Sequence, residues 1–265
     1  MKTQIIYEDE ALMVIHKPAG IAVQSARVGQ MDVESELRNY LAVQGRMQSG
    51  SPNMHSSVGG GQKKPVFLGL IHRLDQPVEG LLVVAKQKEA AARLNKQLTE
   101  GSLNKKYLAV VQLPCEDIPT EGTFTDFLLK DGQTARIVST KGKETSVSPA
   151  GKSRNGALAS SRSTEVAKKA VLQYRILNRT EGAALVDIQI DTGRFHQIRC
   201  QMAYHGMPLL GDLKYGSSSS MELSTKLGIR QTALCADRIA FIHPFKGKEL
   251  AFQTEPQNIA FSKFQ

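Results

Sequence analysis

The sequence predicts an α+β fold, a mixed and largely antiparallel central sheet flanked by helices. Short apolar runs, alternating or continuous and punctuated by Gly, Pro and acidic turns, recur along the chain and read as hairpins. Helical spacing is confined to a few stretches, near 32–43, 91–98 and 194–204. Two of the apolar runs, 67–71 and 81–85, frame the ionisable cluster His72, Arg73 and Asp75, which places polar groups at the rim of a rigid core.

Taken in order, Ile5-Ile6-Tyr7 and Leu12-Met13-Val14-Ile15 flank the acidic turn Glu8-Asp9-Glu10 and form a first hairpin. Lys17-Pro18-Ala19-Gly20 ends it, because Pro lacks a donor and Gly tolerates unusual backbone angles. His16 reads as structural. Val33, Leu37, Tyr40 and Leu41 give an amphipathic helix over 32–43. Residues 46–64, rich in Ser, Gly and Gln and without an acid, read as a mobile basic loop in which His55 has no ligand pattern. The runs 67–71 and 81–85 are two buried strands joined through a Pro and a Gly. Ala91, Leu94 and Leu98 share a helical face that Gly101 stops, and a strand opens at Lys105 and runs to Val111.

Residues 139–169 are a second low-complexity stretch, with seven Lys or Arg against Glu144 and Glu165. It suits either phosphate neutralisation or a solvated insertion. The runs 170–176 and 186–190 alternate apolar and polar residues around Glu181-Gly182, an antiparallel pair with one wet face. Asp191-Thr192-Gly193 leads into a helix over 194–204, with Thr192 as N-cap, Gly206 as stop, and Phe195, Ile198 and Met202 on its buried face. Arg194 then sits in a first turn whose dipole disfavours a cation. Together with His196 and Arg199 it points to an anionic neighbour, phosphate or carboxylate. Residues 208–216 form an irregular loop, and 233–242 with 249–252 close the chain as a hairpin.

Lys and Arg number 34 against 25 Asp and Glu, a net charge of +9 that favours a polyanionic partner. Nucleic acid ranks ahead of a membrane surface: there is no basic amphipathic anchor and no apolar run near the ~20 residues of a span. A merely soluble basic protein has the same composition. Cys115, Cys200 and Cys235 are widely spaced without a Cys-x-x-Cys pair, against a zinc site or disulfide framework. With no leader segment, a cytoplasmic location is expected. No P-loop, dinucleotide fingerprint or clustered metal ligands occur.

Five blocks, in order, resemble the RluA family of RNA pseudouridine synthases: Lys17-Pro18-Ala19-Gly20; His72-Arg73-Leu74-Asp75; Gly80-Leu81-Leu82; Asn104-Lys105-Lys106-Tyr107-Leu108-Ala109-Val110-Val111; and Gly193-Arg194-Phe195-His196-Gln197-Ile198-Arg199. Gly211-Asp212 with Tyr215-Gly216 is similar to a stretch that follows the family's arginine helix. The resemblance implies the pseudouridine synthase fold with a central active-site cleft. It also implies one catalytic domain over 1–265 without an N-terminal S4 domain, carrying insertions near 46–64 and 139–169. The substrate would be ribosomal or transfer RNA, the redox-neutral reaction would need no metal and no nucleotide or other cofactor, with which the missing motifs are consistent, and a monomer is expected. The reaction detaches a uracil from its ribose, turns it and rejoins it through carbon, which calls for a carboxylate at the sugar.

The resemblance gives that role to Asp75, by attack on the sugar or by proton abstraction beside it, with Arg199 as its counter-ion and Tyr107 packed on the target base. Arg73 would fill the space left by the everted base. His72, Lys106, Arg194 and His196 would contact RNA. Gln76-Pro77-Val78-Glu79 replace the small hydroxylated residues usual in the family, and Phe195 a usual Thr or Ser; both bear on substrate choice. Two other classes compete: a non-catalytic RNA-binding protein, which would not need the Asp75–Arg199 pairing, and a hydrolase using His72, Asp75 and His196.

Overall fold

The computed structural model describes residues 1–25, 29–48, 67–113, 118–138, 166–180 and 182–264. Most of the two low-complexity stretches, including His55, lies outside them. The framework is one mixed sheet in the order β1-β2-β4-β10-β5-β9-β8-β6-β7, with β3 paired to β4 and β11 to β10. Its strands are β1 (Gln4–Glu8), β2 (Leu12–Lys17), β3 (Gly69–Leu70), β4 (Glu79–Ala85), β5 (Asn104–Gln112), β6 (Glu121–Asp131), β7 (Thr134–Val138), β8 (Lys168–Thr180), β9 (Ala183–Ile190), β10 (Leu234–Ile242) and β11 (Glu249–Gln253). Among these pairings β4 with β10 is parallel and the others are antiparallel, as the α+β expectation requires.

The β4–β10 crossing explains Gly80. Its φ is +125°, and a Cβ there would meet the Ala236 backbone at 2.5 Å, so only glycine lets the two strands approach. The continuous apolar run of β4 is buried along its whole length. One face packs Leu82 and Val84 with Val33, Leu37 and Leu41 of α1 (Val33–Gln48); the other packs Leu81 and Val83 with Ala90 and Leu94 of α2 (Lys88–Glu100). Asp32 caps α1, its Oδ1 accepting the Ser35 amide at 2.8 Å. Gly101, at φ 77°, closes α2.

Four differences from the sequence reading matter. The β6–β7 hairpin was not anticipated, nor was α4 (Ser218–Lys226), whose N-cap Ser217 accepts the Ser220 amide. The third predicted helix is shorter: α3 spans Gln197–Tyr204, so Arg194 and Phe195 precede it. Thr192 is not its N-cap. The flanking residue is His196, at φ 53°, and no side chain caps the end. Lys168 and Lys169 belong to β8 rather than to a low-complexity insertion.

Candidate active site

Where the C-terminal end of β3, the start of β5, the end of β9 and the beginning of α3 converge, a cleft of about 1250 Å³ opens. It exceeds the roughly 300–1,000 Å³ of small-molecule pockets, leaving room for more than one nucleotide. His72, Arg73, Asp75, Lys105, Tyr107, Arg194, His196 and Arg199 all line it.

Asp75 sits on the loop between β3 and β4. That loop is braced from below by the Lys17-Pro18-Ala19-Gly20 block. The Gly20 amide donates to the Gln76 carbonyl at 2.8 Å, and Gln76 Nε2 donates back to the Gly20 carbonyl at 3.0 Å. Lys17, fully buried, spends its ammonium on the carbonyls of Pro18, Ile21 and Gln76. Burial pushes its pKa down to about 8, against the pull of the Asp75 and Glu79 carboxylates. Two of the residues that depart from the family pattern thus have architectural work: Gln76 ties the loop to Gly20, and buried Glu79 accepts the Gln257 and Asn258 amides at 3.1 and 3.0 Å.

Asp75 and Arg199 meet. Arg199 Nη1 donates to Asp75 Oδ2 at 3.1 Å. The guanidinium's two-pronged contact, however, goes to Asp212: Nε to Oδ2 and Nη2 to Oδ1, both at 2.7 Å. Asp212 is wholly buried and also accepts the Lys214 and Tyr215 amides. One cation therefore holds two carboxylates, a fixed one beneath and Asp75 above. Asp75 Oδ1 has no hydrogen-bond partner among the described residues, and its side chain is 25% exposed.

Tyr215 completes the floor. Its ring lies beneath the Arg199 guanidinium at 5.2 Å. Its hydroxyl accepts the Ala135 amide at 2.7 Å and lies 2.7 Å from His196 Nδ1. Burial pushes the phenol up to about 12 and the imidazole down to about 4. The phenol thus keeps its proton, and the other ring nitrogen, Nε2, faces Asp75 Oδ2 at 3.7 Å, so the tautomer that suits both neighbours accepts a hydrogen bond from the Tyr215 hydroxyl at Nδ1 and carries its hydrogen on Nε2. Gln197 fixes the approach: its Oε1 accepts the Thr192 hydroxyl and the Arg194 amide, and its Nε2 donates to the Val171 carbonyl. The Thr192 oxygen in turn accepts the Val171 amide, which is why it cannot cap α3.

Several expected RNA contacts change character. His72 is buried, with Nε2 accepting the Val83 amide at 3.3 Å, and burial followed by the nearby Lys105 charge pushes it down to about 3. Its Nε2 is thus committed to the backbone, while the ring still lines the cleft and Nδ1 has no hydrogen-bond partner among the described residues. His196 is likewise buried, its ring between the Tyr215 hydroxyl and Asp75. Lys106 does not line the cleft. Strand alternation turns it to the opposite face, and Lys105, two residues from Tyr107, takes the cleft-facing place.

Lys105 has no hydrogen-bond or ion-pair partner among the described residues, and burial lowers its pKa. The period-two rule applied to Tyr107 would have found it. Tyr107 itself is buried, its phenol pushed up by burial and then by the Asp75 charge, so it stays protonated. Arg73 and Arg194 are exposed; Arg194 Nε donates to the Lys169 carbonyl at 3.0 Å. Phe195 is 40% exposed instead of lying on a buried helical face.

Among the described residues no group of His, Cys, Asp and Glu could hold a metal, and no helix is long and apolar enough to cross a membrane. The model of the family described as RNA pseudouridylate synthase matches residues 11–204. A ribosomal large subunit pseudouridine synthase D from Zymomonas mobilis is 33% identical over 261 residues, 97% of this chain and 70% of that protein. A ribosomal large subunit pseudouridine synthase C from Pasteurella multocida is 32% identical over 256 residues, 94% of this chain and 63% of that one. The solved structure of human RNA pseudouridylate synthase domain containing 4 superposes with a TM-score of 0.68 at 25% identity, covering 98% of this chain and 92% of the other. Sequence, architecture and cleft thus converge, and the chain belongs to the RNA pseudouridylate synthase family, in its RluA-type branch.

Proposed function

We propose that this chain isomerises uridine to pseudouridine in RNA, with Asp75 as the catalytic carboxylate and the target base everted into the cleft. The observation that carries this is the division of labour within one carboxylate. Oδ2 is anchored by Arg199, whereas Oδ1 is unclaimed among the described residues and belongs to a cleft-lining side chain. That is what a reaction at a ribose needs: a negative oxygen held in place but not neutralised by a second hydrogen bond.

The reaction conserves atoms. The N1–C1′ bond breaks, the uracil turns, a C5–C1′ bond forms, and the hydrogen leaving C5 is balanced by one gained at N1. Asp75 serves the sugar either by attacking C1′ or by taking a proton beside it. Either role uses a carboxylate held in place by the Arg199 Nη1 contact at 3.1 Å. The Tyr107 ring, buried and protonated, packs against the everted base. Arg73, exposed at the rim, enters the space vacated in the RNA stack. Asp75 on the β3–β4 loop, Tyr107 on β5 and Arg199 on α3 line one cleft, which supports reading the described residues as a single catalytic domain.

Asp75→Asn tests this. It keeps the shape and removes the charge, so pseudouridine formation in total RNA from a deletion background should fall at least 10⁴-fold while RNA binding stays within about twofold. Persistent isomerisation by that variant rules out the mechanism. A wild-type protein that binds RNA yet modifies none would favour the non-catalytic reading.

A further inference from the structure

Beside the cleft lies a second concavity of about 380 Å³, sharing Gly193, Arg194 and Phe195 with it. Leu128 and Ala135, from the β6–β7 hairpin, give it an apolar lining, and Lys130, Lys168 and Arg194 surround it with positive charge. Phe195 lies on the wall common to both spaces. A large apolar ring left 40% exposed at this position is not there to fill a core. It is nevertheless held: the His196 imidazole stacks on it with centroids 3.8 Å apart and planes 20° apart, and His196 is itself bonded to Tyr215. The Lys130 ammonium stands 5.6 Å from the ring centroid. No step of the isomerisation uses Phe195.

We propose that Phe195 and this second concavity form a subsite for the nucleotide adjacent to the target uridine, with its base against the Phe195 ring and its phosphate among Lys130, Lys168 and Arg194. The inference rests on the RNA reading above and extends it to a neighbouring residue of the strand. Everting one base deprives its neighbour of a stacking partner. A fixed aromatic ring at the mouth of the cleft replaces that partner. Cations around an aromatic ring suit single-stranded nucleic acid, since a ring accepts any base face and the ammonium and guanidinium groups follow the backbone. Because the ring is stacked on His196, which faces Asp75, the neighbour's position is tied to the reacting carboxylate.

The test uses the full chain and a uridine dodecamer carrying one 2-aminopurine beside its central uridine. Phe195→Ala should weaken binding roughly tenfold and abolish the fluorescence quenching seen with the wild type, while Phe195→Tyr keeps both. Lys168→Gln and Arg194→Gln should each lower the slope of log affinity against log salt by about one. Equal affinity and equal quenching in wild type and Phe195→Ala overturn the subsite. Pseudouridine formation in total RNA is scored separately. A wild type that binds through Phe195 but modifies nothing removes the enzyme reading and leaves the subsite standing.

Discussion

At the floor of the cleft Arg199 is clamped between Asp212 and Asp75, Tyr215 lies beneath it, and the Tyr215 hydroxyl holds His196 through Nδ1 at 2.7 Å. At the rim Arg73, Arg194 and Phe195 are exposed. The two regions differ in when their interactions are made. Floor groups are desolvated on folding, so their electrostatics act in a dry environment and need no rearrangement at the moment of reaction. Rim groups remain hydrated and act only when a polyanion arrives, so their contribution is screened by salt. Substitutions at the floor should therefore appear in kcat and stability, and those at the rim in KM and salt dependence.

After Asp75 itself, the largest effect that would break this contrast is expected at Asp212. Asp212→Asn preserves the shape but leaves Arg199 without its two-pronged partner, in a place where both side chains are essentially buried. Losing one member of a buried pair costs about 3–5 kcal/mol; here Asp75 can take up some of the slack, so about 2–4 kcal/mol is expected in urea unfolding. The freed guanidinium should turn onto Asp75 and claim Oδ1 as well, lowering kcat about 100-fold or more at saturating RNA. Unchanged kcat in a stably folded Asp212→Asn protein would mean that the lower carboxylate does not position Arg199.

The same contrast separates what the sequence disclosed from what it hid. Asp75 and Arg199 were legible because each lies in a motif of unusual residue types. The loop holding Asp212 and Tyr215 was recognised, but no spacing rule says that a residue thirteen positions after Arg199 will fold back beneath it. The start of α3 was misread because helical periodicity cannot register the positive φ at His196, and because the Thr192 hydroxyl that looked like a cap is taken by β8 and Gln197. The β6–β7 hairpin could have been found: Gly132-Gln133, the two residues between the paired Asp131 and Thr134, carry the Gly-first signal of a two-residue hairpin loop.

A second difference concerns acid. His72 and His196 are held neutral by burial, with pKa values pushed down to about 3 and about 4 from 6.5. Unfolded, each takes a proton as pH falls through 6.5; folded, each refuses it until the lower value. Their contribution is complete above 6.5 and is lost progressively as pH falls from there toward 4. For fully buried His72 the loss at pH 5 is about 2 kcal/mol. Urea unfolding at pH 7, 6 and 5 should show this slope, and His72→Asn should flatten it. Arg194→Gln at the rim should leave it intact. A slope indifferent to His72 would place the acid sensitivity elsewhere.

The smallest effect is the sharpest comparison, because it sets two consecutive lysines of β5 against each other. Lys105 lines the cleft on the face that carries Tyr107, without a partner among the described residues, and burial lowers its pKa. Lys106 pairs in register with Gln189 and with Arg238 and does not line the cleft. If strand alternation decides function here, Lys105→Gln should raise KM for RNA about tenfold and lower the salt slope by about one. Lys106→Gln, removing the same charge one residue along, should change KM less than twofold. Both variants lose one positive charge, so a long-range attraction set by net charge alone would weaken both equally. Equal losses would therefore put the RNA-reading power of β5 in its overall charge and not in the face that shares the cleft with Tyr107.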